Sequence, residues 1–503
     1  MIAGHLESTD TLKPPVMTSL KYTIGKLYVA WDPQTFTDFV VTVESKSGST
    51  KINQPATGNN TTIDKTLDPN DTFTVYITAM QDGNPGPKST PRTAIIALPV
   101  YNELKYAFIS GVGNLSVKWS KVNNAESYIT TISAKDGSYK TNIPSVDPNC
   151  NLAKNLISTV DYNTISCGLS KDGVVIGPTC DPLTAIVAQP AVNTIRYSLN
   201  NADGNINVSW GAARNADQYY VRVKADDGSF DHEFPSTELQ TNIKKTLDPL
   251  KTYKITVAGK AKQDIVQGPV SDEFTPIAEA PKLTLISYSL TDGKGILSTS
   301  WGDVNLADGY VITIKATDGS YLHNIPVTDI TYDFEKTLDE SKTYNVMVTA
   351  TASSGIVSGP VSIIYTTIIW QVERPMLNHT GAKFIANWSI PAKLTGKNFE
   401  CGLYKSGTLL NTETVAANKA EFIFSLDDAT IYAAQIRAIE GIVKGPCTPL
   451  IQGPYSASLV YAYDPLARLT SVTWDAKTVV NYTFDNPGNI TAITIAPVTQ
   501  ENL

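Results

Sequence analysis

The chain has 503 residues, of which 42% are hydrophobic and 17% are charged, with 32 glycines and 29 prolines. This length exceeds what one hydrophobic core usually serves, so several domains are expected, and the charge is too low for a disordered chain. A net charge of −8 and a pI near 5.2, without any basic block, argue against binding to nucleic acid or anionic membranes. The longest apolar runs are far shorter than the roughly 20 residues that a membrane span needs.

The first 14 residues form an N-terminal stub that does not resemble a Sec-type leader. The stub contains Glu7 and Asp10 and has no apolar core. Three interpretations stay open: a leader has been removed, export follows another route, or the protein stays inside the cell.

Three sequence markers each occur five times along the next 440 residues at nearly constant spacing, which indicates an internal repeat. The first marker is a tryptophan, with steps of 88, 91, 91 and 87 residues: Trp31, Trp119, Trp210, Trp301 and Trp388. Gly-Pro pairs keep the same register at Gly86, Gly177, Gly268, Gly359 and Gly445. The third marker is a leucine six residues before an aromatic residue, as in Leu247 and Tyr253, and it keeps the same register. The unit is therefore about 90 residues long and is repeated five times.

Within each unit the apolar residues alternate with polar ones, as in Tyr253, Ile255 and Val257. A period of two predicts strands with one buried face, and no stretch of 12 residues shows a sustained helical period. Asp136-Gly137 and its equivalents 91 and 182 residues later predict two-residue hairpin turns, which require a positive φ at both central residues. About seven short strands per unit predict a β-sandwich.

Each unit resembles a fibronectin type III domain. The tryptophan falls on the second strand, a tyrosine such as Tyr219 follows on the third, and a Leu-Asp-Pro corner precedes a Tyr-initiated strand at Tyr253. The resemblance implies tandem immunoglobulin-like β-sandwiches in an elongated array, with short linkers that contain proline and restrict bending. The predicted modules are 1 (15–98), 2 (99–189), 3 (190–280), 4 (281–373) and 5 (374–453). The fold is compatible with many functions, so it predicts little about activity.

The recurring aromatic residues are interpreted as core, with a sugar-stacking site as the weaker alternative. Tyr253 and Tyr344 are expected to tie a turn to a strand through their hydroxyl groups, as in a tyrosine corner.

The sixth strand of module 2 departs from the alternation that its neighbours follow. Thr164 and Ser166 occupy positions where apolar residues are expected, while Ile165 and Leu169 have the opposite parity. We expect a bulge that restores the register; the alternative is an outward apolar stripe at Ile165 and Leu169 that could contact another molecule.

The last 50 residues, 454–503, do not follow the repeat. Tyr463-Asp464 with Arg468-Leu469, and Phe484-Asp485 with Gly488-Asn489-Ile490, resemble a YD repeat of the RHS type. The resemblance implies a small β-hairpin element. Three roles stay open for it: a terminal cap, a strand donor to a partner sheet, or a sugar site using Tyr461, Tyr463 and Trp474.

No motif for catalysis or for a metal or cofactor site is visible, so none is predicted. The four histidines are scattered over different modules, and no nucleophile elbow, zinc-binding His-Glu-x-x-His or phosphate-binding glycine loop occurs. The five cysteines have no Cys-x-x-Cys spacing, and buried free thiols are favoured over disulfides.

These patterns favour a non-catalytic bacterial binding protein, secreted or at the cell surface, that acts either as an adhesin or as a toxin-associated targeting component. Its partner would be another protein or a cell-surface glycan. A structural subunit that assembles into a fibre or oligomer is the second hypothesis. An accessory arm of a carbohydrate-active enzyme is the third.

Overall fold

The computed structural model describes residues 13–35, 37–380, 383–423, 431–453, 459–466, 468–474, 478–485 and 489–497. The chain divides into two compact units, Met1–Pro276 and Ile277–Leu503, and each is described by itself below. The described residues contain 43 strands, one 3₁₀ turn and no α-helix. The N-terminal stub, except for Lys13 and Pro14, lies outside the described residues.

The first unit holds modules 1 to 3, each built as two layers of antiparallel strands. The strands of module 1 are β1 (Met17–Thr23), β2 (Lys26–Trp31), β3 (Asp38–Ser45), β4 (Lys51–Thr57), β5 (Asn60–Asp64), β6 (Phe73–Gln81), β7 (Asn84–Lys88) and β8 (Arg92–Thr93). Those of module 2 are β9 (Tyr101–Ile109), β10 (Val112–Trp119), β11 (Ser127–Ala134), β12 (Lys140–Ser145), β13 (Asn149–Ala153), β14 (Tyr162–Leu169), β15 (Val175–Ile176) and β16 (Leu183–Thr184). Those of module 3 are β17 (Val192–Asn200), β18 (Asp203–Trp210), β19 (Gln218–Ala225), β20 (Asp231–Ser236), β21 (Gln240–Lys244), β22 (Tyr253–Ala261) and β23 (Val266–Val270).

The second unit holds modules 4 and 5 and the C-terminal element. The strands of module 4 are β24 (Leu283–Thr291), β25 (Lys294–Trp301), β26 (Gly309–Ala316), β27 (Leu322–Val327), β28 (Thr331–Glu335), β29 (Tyr344–Ala352), β30 (Val357–Val361) and β31 (Tyr365–Thr366). Module 5 has β32 (Glu373–Thr380), β33 (Lys383–Ser389), a 3₁₀ turn (Ala392–Leu394), β34 (Asn398–Lys405), β35 (Thr408–Val415), β36 (Lys419–Ile423), β37 (Tyr432–Glu440), β38 (Val443–Lys444) and β39 (Ile451–Gln452). The C-terminal element is a four-stranded antiparallel sheet of β40 (Leu459–Tyr463), β41 (Leu469–Trp474), β42 (Thr478–Phe484) and β43 (Ile490–Pro497).

The tandem β-sandwich prediction is confirmed, and the layers follow one plan. In every module the first, second and fifth strands form one layer, and the third, fourth, sixth and seventh form the other. Each repeat tryptophan is at most 3% exposed. Its ring lies 5.1–5.6 Å from an aromatic ring of the third strand, which is Phe39, Tyr128, Tyr219, Tyr310 or Phe399. The indoles are therefore core and do not line a sugar site.

The corner before the sixth strand is held by two tyrosine hydroxyl groups. In module 3 the backbone N–H of Asp248 donates to the Tyr253 hydroxyl at 3.3 Å, and that of Leu247 donates to the Tyr197 hydroxyl at 3.0 Å. Tyr288 and Tyr344 make the same pair of bonds in module 4, at 2.9 and 3.2 Å. The predicted corner at Tyr253 and Tyr344 is confirmed, while the second tyrosine, on the first strand, was not predicted.

The Asp-Gly turns differ from the two-residue hairpins that the sequence suggested. The closing bond runs from the Ala134 N–H to the Tyr139 carbonyl, so four residues lie in the loop. Gly137 has a φ of +76°, but Asp136 is not among the residues with positive φ. The Asp136 carboxylate instead accepts hydrogen bonds from the N–H and hydroxyl of Ser138, so its role is to cap the turn.

The prediction of a bulge in the sixth strand of module 2 is also wrong. Strand β14 pairs with β11 residue by residue without a shift, and Thr164 and Ser166 face the core with 0% and 1% exposure. The Ser166 hydroxyl lies 2.9 Å from that of Thr130 and 3.3 Å from that of Tyr101, and its N–H donates to the Cys180 sulfur. These hydrogen bonds accommodate Ser166 in the core, whereas the Thr164 hydroxyl is buried without a hydrogen-bond partner, and the strand keeps its register.

Candidate functional site

Successive modules are joined by a repeated contact that we call the interlock. It consists of a short parallel pairing between the first strand of one module and the seventh strand of the next. In the first unit, Leu20 pairs with Val175 and Leu104 with Val266. The Leu104 N–H donates to the Ile265 carbonyl at 2.8 Å. In the second unit, β24 pairs with β38 in the same way. Sheets therefore continue across these junctions.

The second part of the interlock explains the Gly-Pro marker. A Cβ added at Gly268 would lie 2.4 Å from Cγ2 of Ile186, a residue of the preceding linker. Ile95 meets Gly177 in this way at 2.5 Å, Ile277 meets Gly359 at 2.8 Å, and Ile368 meets Gly445 at 2.6 Å. Since any side chain at these glycines would overlap the isoleucine, glycine is required where the linker isoleucine packs against the seventh strand of the module that follows it.

A hydroxyl group three residues after the glycine completes this part of the structure. Ser271 accepts a hydrogen bond from the N–H of Val257 on β22 at 2.9 Å, and Ser362 accepts one from Val348 at 2.9 Å. Cys180 takes this position in module 2. These groups satisfy amides of the sixth strand where the pairing with the seventh is irregular.

The junction between modules 2 and 3 adds an ion pair. Asp161 accepts hydrogen bonds from Arg214 Nε at 2.6 Å and from Asn215 Nδ2 at 3.0 Å, and Lys135 lies 3.3 Å away. The hydrogen bond from Arg214, followed by that from Asn215, lowers the pKa of the Asp161 carboxyl well below its ordinary value. The Asp161 carboxylate of module 2 thus binds two side chains of module 3 and helps to hold the two modules together.

A cleft of about 470 Å³ opens at the junction between modules 4 and 5, and two of the side chains that line it, Gln435 and Arg437, are bonded to neighbouring residues. Gln435 donates to the Thr448 carbonyl and accepts from the Tyr404 hydroxyl. Arg437 forms an ion pair with Glu400. Burial would raise the pKa of Glu400, but hydrogen bonds from Arg437 and Lys444 outweigh burial and hold that pKa below its usual value. The side chains of Gln435 and Arg437 are therefore already engaged with neighbouring residues.

Ile165 and Leu169, the contact residues predicted in module 2, lie half-buried on the outer face of the sheet that modules 1 and 2 share. Ile129 and Ile176 are half-buried on neighbouring strands, so the four residues form an apolar stripe. Of the two alternatives for this strand, the structure therefore has the outward one.

A second exposed apolar group in module 2 was not predicted. Phe108, Ile109 and Val112, at the hairpin between β9 and β10, are 48–58% exposed. The Phe108 ring contacts Tyr106 at 5.5 Å. Because the alternation continues beyond the end of the core, the sequence pattern alone does not separate these exposed residues from buried ones.

The C-terminal element has turns organised by the two aspartates of the suggested YD motifs. Asp464 accepts hydrogen bonds from the N–H groups of Leu466 and Arg468, and from Arg468 Nε at 2.6 Å. Asp485 accepts two from Asn489. The side chains of Tyr461, Tyr463 and Trp474 lie outside those that the structure describes, so the predicted sugar site stays a prediction.

The titratable groups that could take part in chemistry are dispersed or buried. In the described part of the chain, no three His, Cys, Asp or Glu side chains are placed to hold a metal ion. All five cysteines are free, and four are buried. Burial raises the pKa of Cys401 to about 12 and raises those of the other four thiols, so at neutral pH they are protonated and weakly nucleophilic.

Comparisons with known proteins assign the chain to no family and give it no function. No protein-family model matches the chain, and no curated protein matches it. Among solved structures, the crystal structure of the chicken CNTN1 FN1-FN3 domains is 14% identical, with a TM-score of 0.23. The match covers 53% of this chain and 100% of that one. The chain is a tandem array of β-sandwiches. Within the part of the chain that the structure describes, no helix is long and apolar enough to cross a membrane.

Proposed function

We propose that this chain is a non-catalytic binding protein whose interlocked modules hold a contact surface at a defined place. The observation that carries the proposal is the interlock. At each junction within the two units, a buried isoleucine, a glycine without a side chain and a strand pairing hold neighbouring modules together. Such order costs conformational entropy and is useful when one surface must keep its position relative to another.

The surface that we propose for contact is on module 2. Its apolar stripe at Ile165 and Leu169 and the hairpin residue Phe108 are apolar groups of that module that are at least partly accessible on its outside. Apolar and aromatic residues of this kind are typical of the centre of protein interfaces. We propose a protein or a cell-surface glycan as the partner, and a secreted or surface-attached location.

The C-terminal sheet supports a second part of the proposal, a link to RHS-type systems. The Asp464 and Asp485 turns repeat the same backbone bond, from the aspartate N–H to the carbonyl four residues later, at 2.9 and 3.0 Å. This internal repetition is what a YD-type repeat would produce. We propose that the element marks a toxin-associated protein rather than an accessory arm of an enzyme.

The experiment is a binding assay with the whole chain on glycan arrays and on intact cells. Ile165→Lys, at the outer face, is compared with Leu250→Lys, which changes an equally apolar residue that is 93% exposed in module 3. A specific signal that Ile165→Lys reduces at least about tenfold, the equivalent of 1.4 kcal/mol, would support the proposal. A signal that only deletion of residues 454–503 removes would move the contact to the C-terminal sheet. Hydrolysis of a polysaccharide by the purified chain would contradict a non-catalytic function.

A further inference from the structure

The sheet edges of the modules are protected against pairing with another chain, in several different ways. The fourth strand is an outer edge in modules 1 to 4, and each carries a proline, which removes an N–H donor. These prolines are Pro55, Pro144, Pro235 and Pro326. In module 5 the corresponding strand β35 contains Glu413 and is bulged opposite Leu403.

The fifth strands, which form the opposite edges, are short and mostly charged. All of them have five residues, and β21, β28 and β36 contain Lys or Glu side chains. Strand β13 has no charge but carries two asparagines in its five residues. Short and charged edges disfavour pairing with a second sheet.

The seventh strand of module 1 is protected at the position where an interlock would form. Asn84 stands two residues before Gly86, where the interlocked modules have the buried valines Val175, Val266 and Val443. Pro85 follows it and has no N–H to give to an added strand. Gly86 is only half-buried, whereas Gly177 is buried. Module 1 is therefore not built to receive another module through an interlock.

Strand β43 is different from all of these edges. It has eight residues, it contains no charged residue, and its single proline is the last residue. Among the described residues it pairs with β42 alone. Ile490, Ile493 and Ile495 are 54%, 58% and 73% exposed. A long, uncharged edge rich in β-branched residues is the kind that pairs with another strand.

The occupant that fits this edge is the same edge of a second copy. When two identical strands pair antiparallel about a two-fold axis, every residue near the axis faces itself or a close neighbour. A charged residue there would face its own kind, which is destabilising. Strand β43 meets this condition because it is uncharged, whereas β28, with Asp333 and Glu335, does not.

We propose that copies of this chain associate in pairs through β43, edge to edge, and not through the ends or edges of the modules. The pairing closes after two copies, because each copy uses its one β43 edge. One added strand pair is a small interface, so the association is weak and depends on concentration. This inference is independent of the proposed binding function.

The first test is sedimentation velocity of the full chain over a range of micromolar concentrations. A monomer–dimer equilibrium is expected for the wild type. With the two-fold axis near the middle of β43, Ile493→Lys places a like charge from each copy close to the axis, and it should weaken the association at least about tenfold. Leu250→Lys carries the same change at an exposed site away from any strand and should associate like the wild type. A wild type that stays monomeric, an Ile493→Lys variant that associates normally, or open-ended fibres would each overturn the proposal.

The second test does not depend on how well the lysine variant folds. Under mild oxidation Ile493→Cys should give a covalent dimer, since a two-fold axis near the middle of β43 brings the two sulfurs close together, while Leu250→Cys and the wild type should not. Equal cross-linking at both positions, or none at Ile493→Cys, would overturn the proposal. Glycan and cell binding, measured with Ile493→Lys as a monomer, reports on the proposed function separately.

Discussion

Gly268→Ala is the substitution that tests the interlock most directly. The new Cβ would lie 2.4 Å from Cγ2 of Ile186 and 3.0 Å from its Cβ. Ordinary contacts between carbon atoms are about 3.5–4.0 Å, so the linker or the seventh strand must move by roughly 1 Å. Ile186 is fully buried. Overpacking of this kind typically costs about 1–3 kcal/mol, and we expect that cost to fall on the junction between modules 2 and 3.

Hydrogen exchange on the intact chain, followed by mass spectrometry, is the suitable assay. Unfolding of a multi-module chain is not two-state, so a single midpoint would not report on one junction. The Leu104 N–H, which donates to the Ile265 carbonyl, reads out the junction directly. We expect exchange in the peptide covering β9 to become about 5- to 150-fold faster, the equivalent of roughly 1–3 kcal/mol. The peptide covering β1, at another junction, should not change.

Two further variants make the test decisive. Gly211→Ala is the matched control, because its Cβ would meet nothing closer than the Ala191 carbonyl oxygen at 3.8 Å. Ile186→Ala combined with Gly268→Ala removes the methyl group responsible for the overlap. We therefore expect the double variant to be more stable than the sum of the two single effects by at least about 1 kcal/mol. Strictly additive effects, or unchanged exchange at β9 in Gly268→Ala, would refute this account of the Gly-Pro marker.

Three further predictions concern the hydrogen bonds, the thiols and the ion pair. Tyr197→Phe leaves the buried N–H of Leu247 without its partner and should lower the stability of module 3 by about 1–3 kcal/mol. The loss is measured by hydrogen exchange of module 3 peptides at increasing denaturant concentration. An unchanged stability would show that water replaces the hydroxyl. A thiol-reactive dye at neutral pH should label at most Cys447, the one half-buried cysteine, in the native chain, and all five thiols after denaturation without reductant; fewer than five would reveal a disulfide. The Asp161 pKa is depressed in the folded chain, so its contribution is complete above the unfolded pKa of about 3.9 and is lost as the pH falls through the lower folded value. Asp161→Asn should accordingly weaken the junction at neutral pH by about 0.5–1 kcal/mol, because its ion pair with Arg214 is partly exposed. The stabilities of the variant and the wild-type junctions should become equal only in strong acid, where the wild-type carboxylate is protonated. A difference between variant and wild type that is the same at all pH values would contradict this.

Much of the fold could be predicted from local patterns. Alternation such as Tyr253, Ile255 and Val257 identified strands because side chains on a strand point to opposite faces in turn. The constant spacing of Trp31 and its equivalents identified the modules, since the same core must be built each time. The corner tyrosine Tyr253 followed from the same register.

The parts that were missed depend on contacts between residues far apart in the chain. The pairing of Leu104 with Val266 is only two residues long and is made by the backbone, so it leaves no side-chain pattern to read. The Gly-Pro marker was visible, but its reason, the isoleucine of the preceding linker, belongs to another module. Ser166 stood where an apolar core residue was expected. Its partners inside the core, Thr130 and Tyr101, lie far away in the chain, so the sequence does not show that they bond with it. Local alternation sets which residues face inward within a strand, whereas which edges meet and which polar groups find partners is decided only when the sheets come together.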